Sequence, residues 1–570
     1  MPCEAEGPWN RWCRPIAAEV KPLRRALRSS FLPAKGLFRS RGWGGSFSRE
    51  NGEYASVNTA NQQQAVSISG KSLIFVGMKQ TILRYTLVAV AIFSLAITVS
   101  ARKVQPAPGI KNAFDYGFRP GNSAEANTRA LQAALDGGGN VQVMVPGTYD
   151  LCRTILLDSD TRLDFGAGVY LRKAVDKDGN NASYVFMNRG ASDGTWNENI
   201  VIHDLNLSCN GLEVKTQHPV FGMNGHLAFL HVRNLEIDGF TMMDGTSRTY
   251  VIHVVGFEGV RISRVHIEGM KDAIHFSNGR KFVIRDCIFK TYDDPLAFNA
   301  HDYLDYLPEY GWIEDGVVEN CYDLADPENG TTGFFCRILA GAWRDWESGM
   351  EFQRGDTVVS DGRIYRVLGP ADKKIYTSTV QPTFAQGEQT LSDGVTWKML
   401  QDHGIVYGVG CRNIHFKDIF LQKPRKIAFQ IHFDKDQYSR SYYPDSAPPV
   451  QENMVFENIF IQAPIQQLVK AKTPINNFKL INSMLNGSEI FLYDMGEGLH
   501  YDTTHVLMMG TTFAGDGHNN IVRASPTRPV DVKIIGSVIE GKDFSAAVRN
   551  VKVLESDIEL EETTSEHEPL

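Results

Sequence analysis

The feature that most constrains the fold of this chain is a repeat with a period in the low twenties. Aligning Leu235, Val260 and Val283 as equivalent positions of three successive units gives steps of 25 and 23 residues. Each unit holds short strands of alternating apolar residues that end at Gly, Asn or Asp turns. The pattern returns in segments 411–420 and 455–461. Such a period without a helix in each repeat predicts an all-β, right-handed parallel β-helix.

An N-terminal capping helix is predicted ahead of the first strands. Leu131, Ala134 and Leu135 lie on one helical face, and three consecutive glycines at 137–139 end the pattern. A solenoid has an open end whose unpaired backbone must be covered. We therefore expect this helix to cap the β-helix.

One segment, residues 341–403, interrupts the repeat and is predicted to be a small inserted β module. It separates a first part of the β-helix, residues 102–340 with the catalytic rungs, from a second part, residues 404–556. Its Trp and Tyr side chains either form the module's own core or stack on sugar rings. We favour the core, because so small a domain needs aromatic residues inside.

The two ends of the chain differ from the rest. Residues 1–77 lack periodicity, and we interpret them as a disordered extension that is not native to the protein. Residues 78–101 combine a basic start, an apolar run and a small-residue end, which predicts a signal peptide and a secreted or periplasmic protein. The alternative is a signal-anchor helix, but the apolar run is short for a membrane span. Residues 557–570 are expected to form a disordered acidic tail.

Composition excludes several classes of function. The formal net charge of -8 offers no basic excess for a nucleic-acid partner. The six cysteines after residue 101 are scattered without a CxxC pair, so we expect buried thiols with at most one disulfide and no zinc site. No cofactor and no stable membrane span after signal removal are predicted, and the sequence carries no signal for an oligomeric state.

Three aspartates carry the predicted chemistry. Asp272 precedes Asp294 by 22 residues, about one turn of the solenoid, and Asp293 is adjacent. Successive rungs lie about 4.8 Å apart, so the three carboxylates should share one small patch. Close like charges raise one another's pKa, and a protonated carboxyl beside an ionised one is the equipment for glycoside hydrolysis. The alternative is a set of turn aspartates, but a stacked trio favours catalysis.

The motifs around these aspartates resemble glycoside hydrolase family 28, the polygalacturonases. The likeness covers most of residues 110–340 and, more loosely, 404–490, and its opening segment resembles the pectin-lyase-like superfamily. The resemblance implies that Asp293 is the general acid. It also implies that Asp272 and Asp294 hold and deprotonate the attacking water, which gives inversion at the anomeric carbon.

Other motifs depart from that family. Lys271 stands where the family has Thr, no Gly-His-Gly follows the Asp pair, and residues 429–432 (Phe-Gln-Ile-His) replace an Arg-Ile-Lys. Segments 272–277 and 299–301 also resemble family 110, the β-helical α-galactosidases. The expected substrate is therefore a polysaccharide or oligosaccharide that is pectin-like or contains galactose.

Five further residues are predicted to contact the substrate. They are His275, His301, Arg337, His253 and Asn299. For His275 the alternative is a groove residue whose hydrogen bonds are satisfied within the protein.

Two other functions remain open on the same scaffold. A polysaccharide lyase would need a cation or Arg to neutralise a uronate and an Arg or Lys base. The aspartates could hold calcium, but the sequence places no basic residue at the stacked position. A non-catalytic carbohydrate-binding β-helix would keep groove aromatics without needing three stacked acids.

Overall fold

The computed structural model describes residues 109–561. Its gaps are 183, 214–219, 303–308, 329, 331, 370–373, 436–439, 493–502, 515–520, 527, 541–547 and 550–551. The predicted extension 1–77, the signal segment 78–101 and residues 562–570 of the tail lie outside the described residues. Within the described residues no helix is long and apolar enough to span a membrane.

The described chain is a right-handed parallel β-helix, in which nearly every strand pairs in parallel with the strand one rung later. Before the insertion its strands are Ile110–Asn112, Gly139–Val143, Gly147–Leu151, Ile155–Leu157, Thr161–Phe165, Val169–Lys173, Phe186–Asn188, Asn197–His203, Leu207–Ser208, Gly225–Asp238, Thr241–Gly245, Tyr250–Ser263, His266–Gly269, Ile274–Phe276, Gly279–Thr291, Leu296–Phe298, Ile313–Asp323 and Cys336–Leu339. After it they are Cys411–Leu421, Ile427–His432, Gln451–Ile461, Gln467–Ala471, Ile475–Ile481, Met484–Asn486, Glu489–Leu492, Thr504–Met509, Thr512–Ala514, Val522–Ala524, Val530–Glu540, Val548–Arg549 and Lys552–Glu561.

The rung register agrees with the sequence at one step and differs at the next. Leu235 lies opposite Val260, as aligned, but Val260 lies opposite Phe282 and not Val283. The alignment was wrong by one residue because Phe282 and Val283 are adjacent apolar residues, and residue type alone does not show which of them points inward. Phe282 points into the core, whereas Val283 is only half-buried.

Asparagine and aspartate residues form a ladder along one corner of the solenoid. Asn234 donates from its side-chain amide to Asn199 at 3.0 Å, and Asn453 donates to Asn413 at 2.7 Å. These residues have φ between 51° and 57°, a region that Asn tolerates better than most residues. The ladder therefore satisfies the side chains and fixes the turn that each rung must make.

Phenylalanine rings stack in the core beneath the rungs that carry the aspartates. The ring centroids of Phe276 and Phe298 are 5.7 Å apart, and those of Phe298 and Phe416 are 6.3 Å apart. The stack continues to Phe456 and Phe478. The stack therefore runs through the core from strands Ile274–Phe276 and Leu296–Phe298 to strand Cys411–Leu421, which follows the insertion.

The N-terminal helix spans Ala124–Leu135, with the side chain of Ser123 accepting from the backbone N–H of Ala126 as its cap. It buries Leu131, Ala134 and Leu135 in the core. Two short 3-10 helices, Ala113–Tyr116 and Arg189–Ser192, complete the helical structure of the described residues.

The inserted segment forms antiparallel sheets of its own. Its strands are Met350–Phe352, Thr357–Ser360, Arg363–Leu368, Tyr376–Ser378, Glu388–Thr390 and Thr396–Gln401, and Gly341–Ala342 pairs with Gly408–Val409 at its base. Trp397 and Tyr365 are fully buried and Trp343 is 2% exposed. These aromatic side chains therefore form an interior and not a sugar-binding face.

Two remaining expectations concern the cysteines and the tail. All six cysteines in the described residues are buried free thiols. The last strand, Lys552–Glu561, pairs in parallel with Val530–Glu540. Ordered structure thus continues into the segment 557–570 that the sequence assigned to a tail, because this pairing adds one more rung.

The Phe stack gives a test of the fold. We expect Phe298→Ala to lower the free energy of unfolding by about 3–5 kcal/mol, because it leaves a cavity between two stacked rings. Tyr170→Ala is the matched control, since Tyr170 is 54% exposed. Urea denaturation of both variants measures the difference, and equal effects would contradict the stacked core.

Candidate active site

Backbone hydrogen bonds place Asp272 and Asp294 one above the other. The N–H of Ala273 donates to the carbonyl of Asp294 at 3.0 Å, and the N–H of Val251 donates to the carbonyl of Asp272 at 2.9 Å. The strands that follow pair Ile274 with Leu296. The two aspartates therefore occupy equivalent positions just before equivalent strands, which the 22-residue spacing predicts.

The three predicted aspartates come together. One carboxylate oxygen from each of Asp272, Asp293 and Asp294 lies within 4.8 Å of the other two. Asp272 and Asp294 are fully buried, whereas the side chain of Asp293 is 20% exposed. Asp293 is therefore the member of this carboxylate trio that can be approached from solvent.

Two cations lie against the trio. Lys271 forms an ion pair with Asp293 and lies 3.6 Å from Asp272. The Nε of Arg337 lies 3.1 Å from Asp294, and its guanidinium is 3.6 Å from Asp272. The expectation that no basic residue sits at the stacked position is therefore wrong. Arg337 pairs in register with Ala297, three residues after Asp294, and its long side chain reaches back to the trio.

The environment drives two of the carboxylates towards opposite protonation states. Burial alone would raise the pKa of Asp272, but Lys271, His275 and Arg337 outweigh burial and hold this pKa well below its usual value. Burial, with repulsion from Asp293 and Asp272, raises the pKa of Asp294 to about 7 even though Arg337 opposes the shift. Near neutrality the trio thus contains an ionised carboxylate beside one that holds a proton for much of the time.

A tight loop closes over the trio from the next rung. The N–H of Phe334 donates to Asp294 at 2.7 Å. A Cβ on Gly333, whose φ is 68°, would come within 2.5 Å of Asp294 and 2.7 Å of Asp293. Buried Arg425 donates to the carbonyl of Thr332 at 2.7 Å and pairs with buried Asp323 at 2.7 Å. This ion pair holds the loop in position.

His275 and His253 lie on neighbouring rungs of the same sheet, paired in register. His275 is fully buried, and its Nδ1 and Nε2 lie 2.9 Å from Asp272 and 2.7 Å from Asp302. His253 is also fully buried; its Nδ1 accepts from the N–H of Asn224 at 3.1 Å. The contacts of both histidines are therefore with the protein.

His301 and Asn299 lie towards the inserted module. The ring of His301 stacks on Tyr310 with centroids 5.3 Å apart, and it is tilted against Trp343 at 6.2 Å. Burial and Arg366 hold the pKa of His301 well below its usual value, so the ring is neutral. The amide of Asn299 donates to Asp302 at 3.3 Å. These contacts associate both residues with Asp302 and the module.

Sequence reasoning missed several residues of the site. Lys271 was noted only as a departure from a family pattern, and Arg337 only as a substrate-binding candidate. Asp302 and Gly333 were not singled out. Asp302 carries no periodic signal, but its position three residues after Asn299, at the end of a rung, could have marked it as a turn carboxylate facing the same patch.

The trio also has oxygen ligands that a divalent cation accepts. However, the Lys271 ammonium already pairs with Asp293, and the Arg337 guanidinium lies against Asp294. A dication would have to displace or tolerate both positive charges. The charge arrangement therefore favours proton chemistry over metal binding.

Fold and site together define a parallel β-helix protein with a buried acidic centre. No family model and no curated protein matches the chain. Similar solved structures include a family 28 exopolygalacturonase from Yersinia enterocolitica, at 12% identity and TM-score 0.37, covering 81% of this chain and 79% of that one. The surface adhesin PfbA of Streptococcus pneumoniae matches at 11% identity and TM-score 0.39, covering 79% and 100%. A mannuronan C-5 epimerase A-module from Azotobacter vinelandii matches at 12% identity and TM-score 0.33, covering 80% and 98%.

These structures include a member of the family that the sequence motifs resemble. Their names describe different activities, so the chemistry of the site has to be decided from its own residues.

The loop over the trio can be tested by adding one methyl group. We expect Gly333→Ala to lower the free energy of unfolding by about 1–3 kcal/mol, because φ is positive and the methyl group would crowd two carboxylates. Gly330→Ala is the control, since a Cβ there meets nothing within 4 Å. Thermal melting distinguishes them, and equal melting temperatures would show that the loop does not press on the trio.

The raised pKa of Asp294 predicts a pH dependence of stability. Its pKa lies at about 7 in the folded protein against 3.8 as its ordinary value, so its contribution to stability is present below pH 3.8 and lost as the pH rises through 7. Asp294→Asn removes this loss. Relative to the unmodified protein, its free energy of unfolding should therefore rise by about 2–4 kcal/mol between pH 4 and pH 8, at about 1.4 kcal/mol per pKa unit. Exposed Asp178→Asn should show a constant difference, and parallel denaturation curves for Asp294→Asn would contradict the assignment.

Proposed function

We propose that this protein is a secreted glycoside hydrolase that cleaves glycosidic bonds in a polysaccharide or oligosaccharide. The observation that supports the proposal most strongly is the carboxylate trio: three acids within 4.8 Å of one another, with the pKa of Asp272 lowered and that of Asp294 raised to about 7. Paired carboxyl groups of opposite protonation state supply the acid and the base of glycoside hydrolysis.

The roles follow from access and charge. Asp293 is the general acid, because geometry decides before pKa and Asp293 has the exposed side chain of the three. Asp294 holds the proton of the resting trio; when substrate binds, this proton passes to Asp293, which donates it to the leaving oxygen, and Asp294 is left ionised. Asp272, which Lys271 and Arg337 keep ionised, acts as the base that deprotonates water together with Asp294.

Inversion requires the attacking water to lie opposite the leaving group. Carboxyl groups of inverting glycosidases are usually about 6.5–9.5 Å apart, with the water between them. The oxygens here approach within 4.8 Å. This separation is nearer the roughly 5–5.5 Å of retaining enzymes. Inversion here therefore requires Asp272 and Asp294 together to hold the water to one side, while Asp293 faces the glycosidic oxygen.

The substrate class follows from the resemblance and from the site. A pectin-like or galactose-containing glycan fits both families that the motifs resemble. The signal segment 78–101 directs the protein to the periplasm or the exterior, where such polymers occur.

A lyase is the second candidate, and the basic residues at the trio are the observation that favours it. A lyase base must be neutral to take a proton from the sugar. Burial would lower the pKa of Lys271, but Asp272 and Asp293 more than offset burial and raise the pKa above its ordinary value. Lys271 thus stays protonated near neutrality, and hydrolysis is the better supported reaction.

The decisive experiment is an activity screen on plant and marine polysaccharides with matched aspartate variants. We expect Asp293→Asn and Asp272→Asn to lower kcat by about 10²–10⁴-fold, the usual contribution of a general acid or base, with little change in KM. Asp178→Asn, with an exposed side chain, is the control and should retain full activity. Proton NMR of the first product should show the inverted anomer.

Leaving-group chemistry separates the acid from the base. Asp293→Asn should regain much of its rate on an aryl glycoside whose leaving group needs no proton, whereas Asp272→Asn should not. Activity that requires a divalent cation, together with an ultraviolet-absorbing unsaturated product, would establish a lyase instead. Binding without turnover, unchanged in Asp293→Asn, would indicate a carbohydrate-binding protein.

A further inference from the structure

A buried histidine connects the trio to a fourth carboxylate. His275 lies between two aspartates. Its Nδ1 is 2.9 Å from a carboxylate oxygen of Asp272, and its Nε2 is 2.7 Å from a carboxylate oxygen of Asp302. All three side chains are fully buried. An ionised carboxylate only accepts hydrogen bonds, so both ring nitrogens must carry a proton to satisfy both partners. The geometry therefore describes an imidazolium and not a neutral ring.

The surroundings of His275 hold its ring in one orientation. Tyr250 stacks on it with centroids 4.0 Å apart and planes 15° apart, and His253 contacts its edge at 4.9 Å. Burial would lower the pKa of His275, but Asp302 and Asp272 outweigh burial and raise it. A ring stacked on one face, contacted at its edge and hydrogen-bonded at both nitrogens cannot turn towards a substrate.

Asp302 is itself held by the inserted module. Arg366 of the module is 1% exposed and donates to the backbone carbonyl of Asp302 at 3.2 Å and to that of Gly355 at 3.1 Å. From the β-helix, Asn299 donates to the carboxylate of Asp302 at 3.3 Å. The module thus fixes Asp302, the partner of Nε2 on the side of the His275 ring that faces away from Asp272.

We propose that His275 and Asp302 form a positioning pair, in which a buried imidazolium aims Asp272 and keeps it ionised for the hydrolytic step. This inference rests on the function proposed above. Neither residue touches the substrate. Lys271 lies 3.6 Å from Oδ1 of Asp272, and Arg337 lies 3.6 Å from Oδ2, the oxygen that His275 also faces. His275 therefore supplies the short, directional hydrogen bond, and the two cations supply charge at longer range.

Two amide substitutions separate the halves of this interaction. In His275→Asn the amide can replace Nδ1 and keep a hydrogen bond to Asp272. In His275→Gln it reaches the position of Nε2 and keeps only the contact with Asp302. We expect His275→Gln to lower kcat by about 10–100-fold, the usual effect of removing a residue that orients a ligating or reacting group. His275→Asn should lose clearly less, and KM should be unchanged in both.

The pH profile gives a second readout. Both variants lose a positive charge beside Asp272, so the acid limb of kcat/KM should move to higher pH by about one unit or more. The groups that face His275 and Asp272 are Lys271, Arg337, Asp302, Tyr250, His253, Asp293 and Asp294, and none of them is changed. His403→Asn, at an exposed histidine of the module, is the control and should leave the profile in place.

Protonation can be measured without any activity. In protein labelled with ¹⁵N-histidine, the ring signals that disappear in His275→Asn should show both nitrogens protonated at pH 7, and Asp302→Asn should shift them towards the neutral ring. A neutral His275 at pH 7 overturns the inference. A raised KM also overturns it. So does an equal loss of kcat in the Asn and Gln variants when both variants have lowered melting temperatures, because lost stability would then explain the loss of activity. If the unmodified protein hydrolyses no glycan, the function proposed above fails, while the NMR result still decides whether His275 is an imidazolium.

Discussion

The site depends on the register between two neighbouring rungs. Ile274 lies opposite Leu296, and this pairing places the residues just before each strand, Asp272 and Asp294, on top of one another. Side chains in a strand alternate between faces, so a slip of one residue would turn one aspartate away from the other. The Phe rings beneath oppose such a slip, because Phe276 and Phe298 stack only in this register. Core packing and chemistry therefore constrain the same two strands.

Bringing these acids together inside the protein would be unfavourable without compensation, because buried charges need partners. The buried cluster contains four carboxylates and three cationic side chains, in Asp272, Asp293, Asp294, Asp302, Lys271, His275 and Arg337. With all seven ionised, one negative charge is left unbalanced, and one proton removes it. The raised pKa of Asp294 reflects this imbalance at a fully buried carboxylate that forms an ion pair with Arg337 among the three cations. Charge balance thus explains why the cluster carries a proton near neutrality.

The parts of this arrangement that follow a period could be predicted from the sequence. The stacking of Asp272 on Asp294 follows from the spacing of one rung, and the capping helix and the insertion each interrupt the strand pattern. The position of Val283 was predicted wrongly because Phe282 and Val283 are both apolar, so residue type does not show which of them points into the core. The grouping of Arg337 with the trio was missed because a long turn separates it from the Asp pair, so counting rungs does not reach it.

The inserted module occupies a place where it costs the β-helix little. On either side of it, Ile338 pairs with Ile431 in the sheet that carries the trio, so the solenoid continues as if the insertion were absent. An insertion that preserves register is tolerated because closing a longer loop adds only a small entropic cost. What the module adds is rigidity at one point, where buried Arg366 binds the carbonyl of Asp302. Asp302 follows the Asp pair within a single rung. Its carboxylate is held by His275 and Asn299 of the β-helix, and its backbone carbonyl by Arg366 of the module. The insertion therefore anchors the backbone of the residue whose carboxylate faces Nε2 of His275.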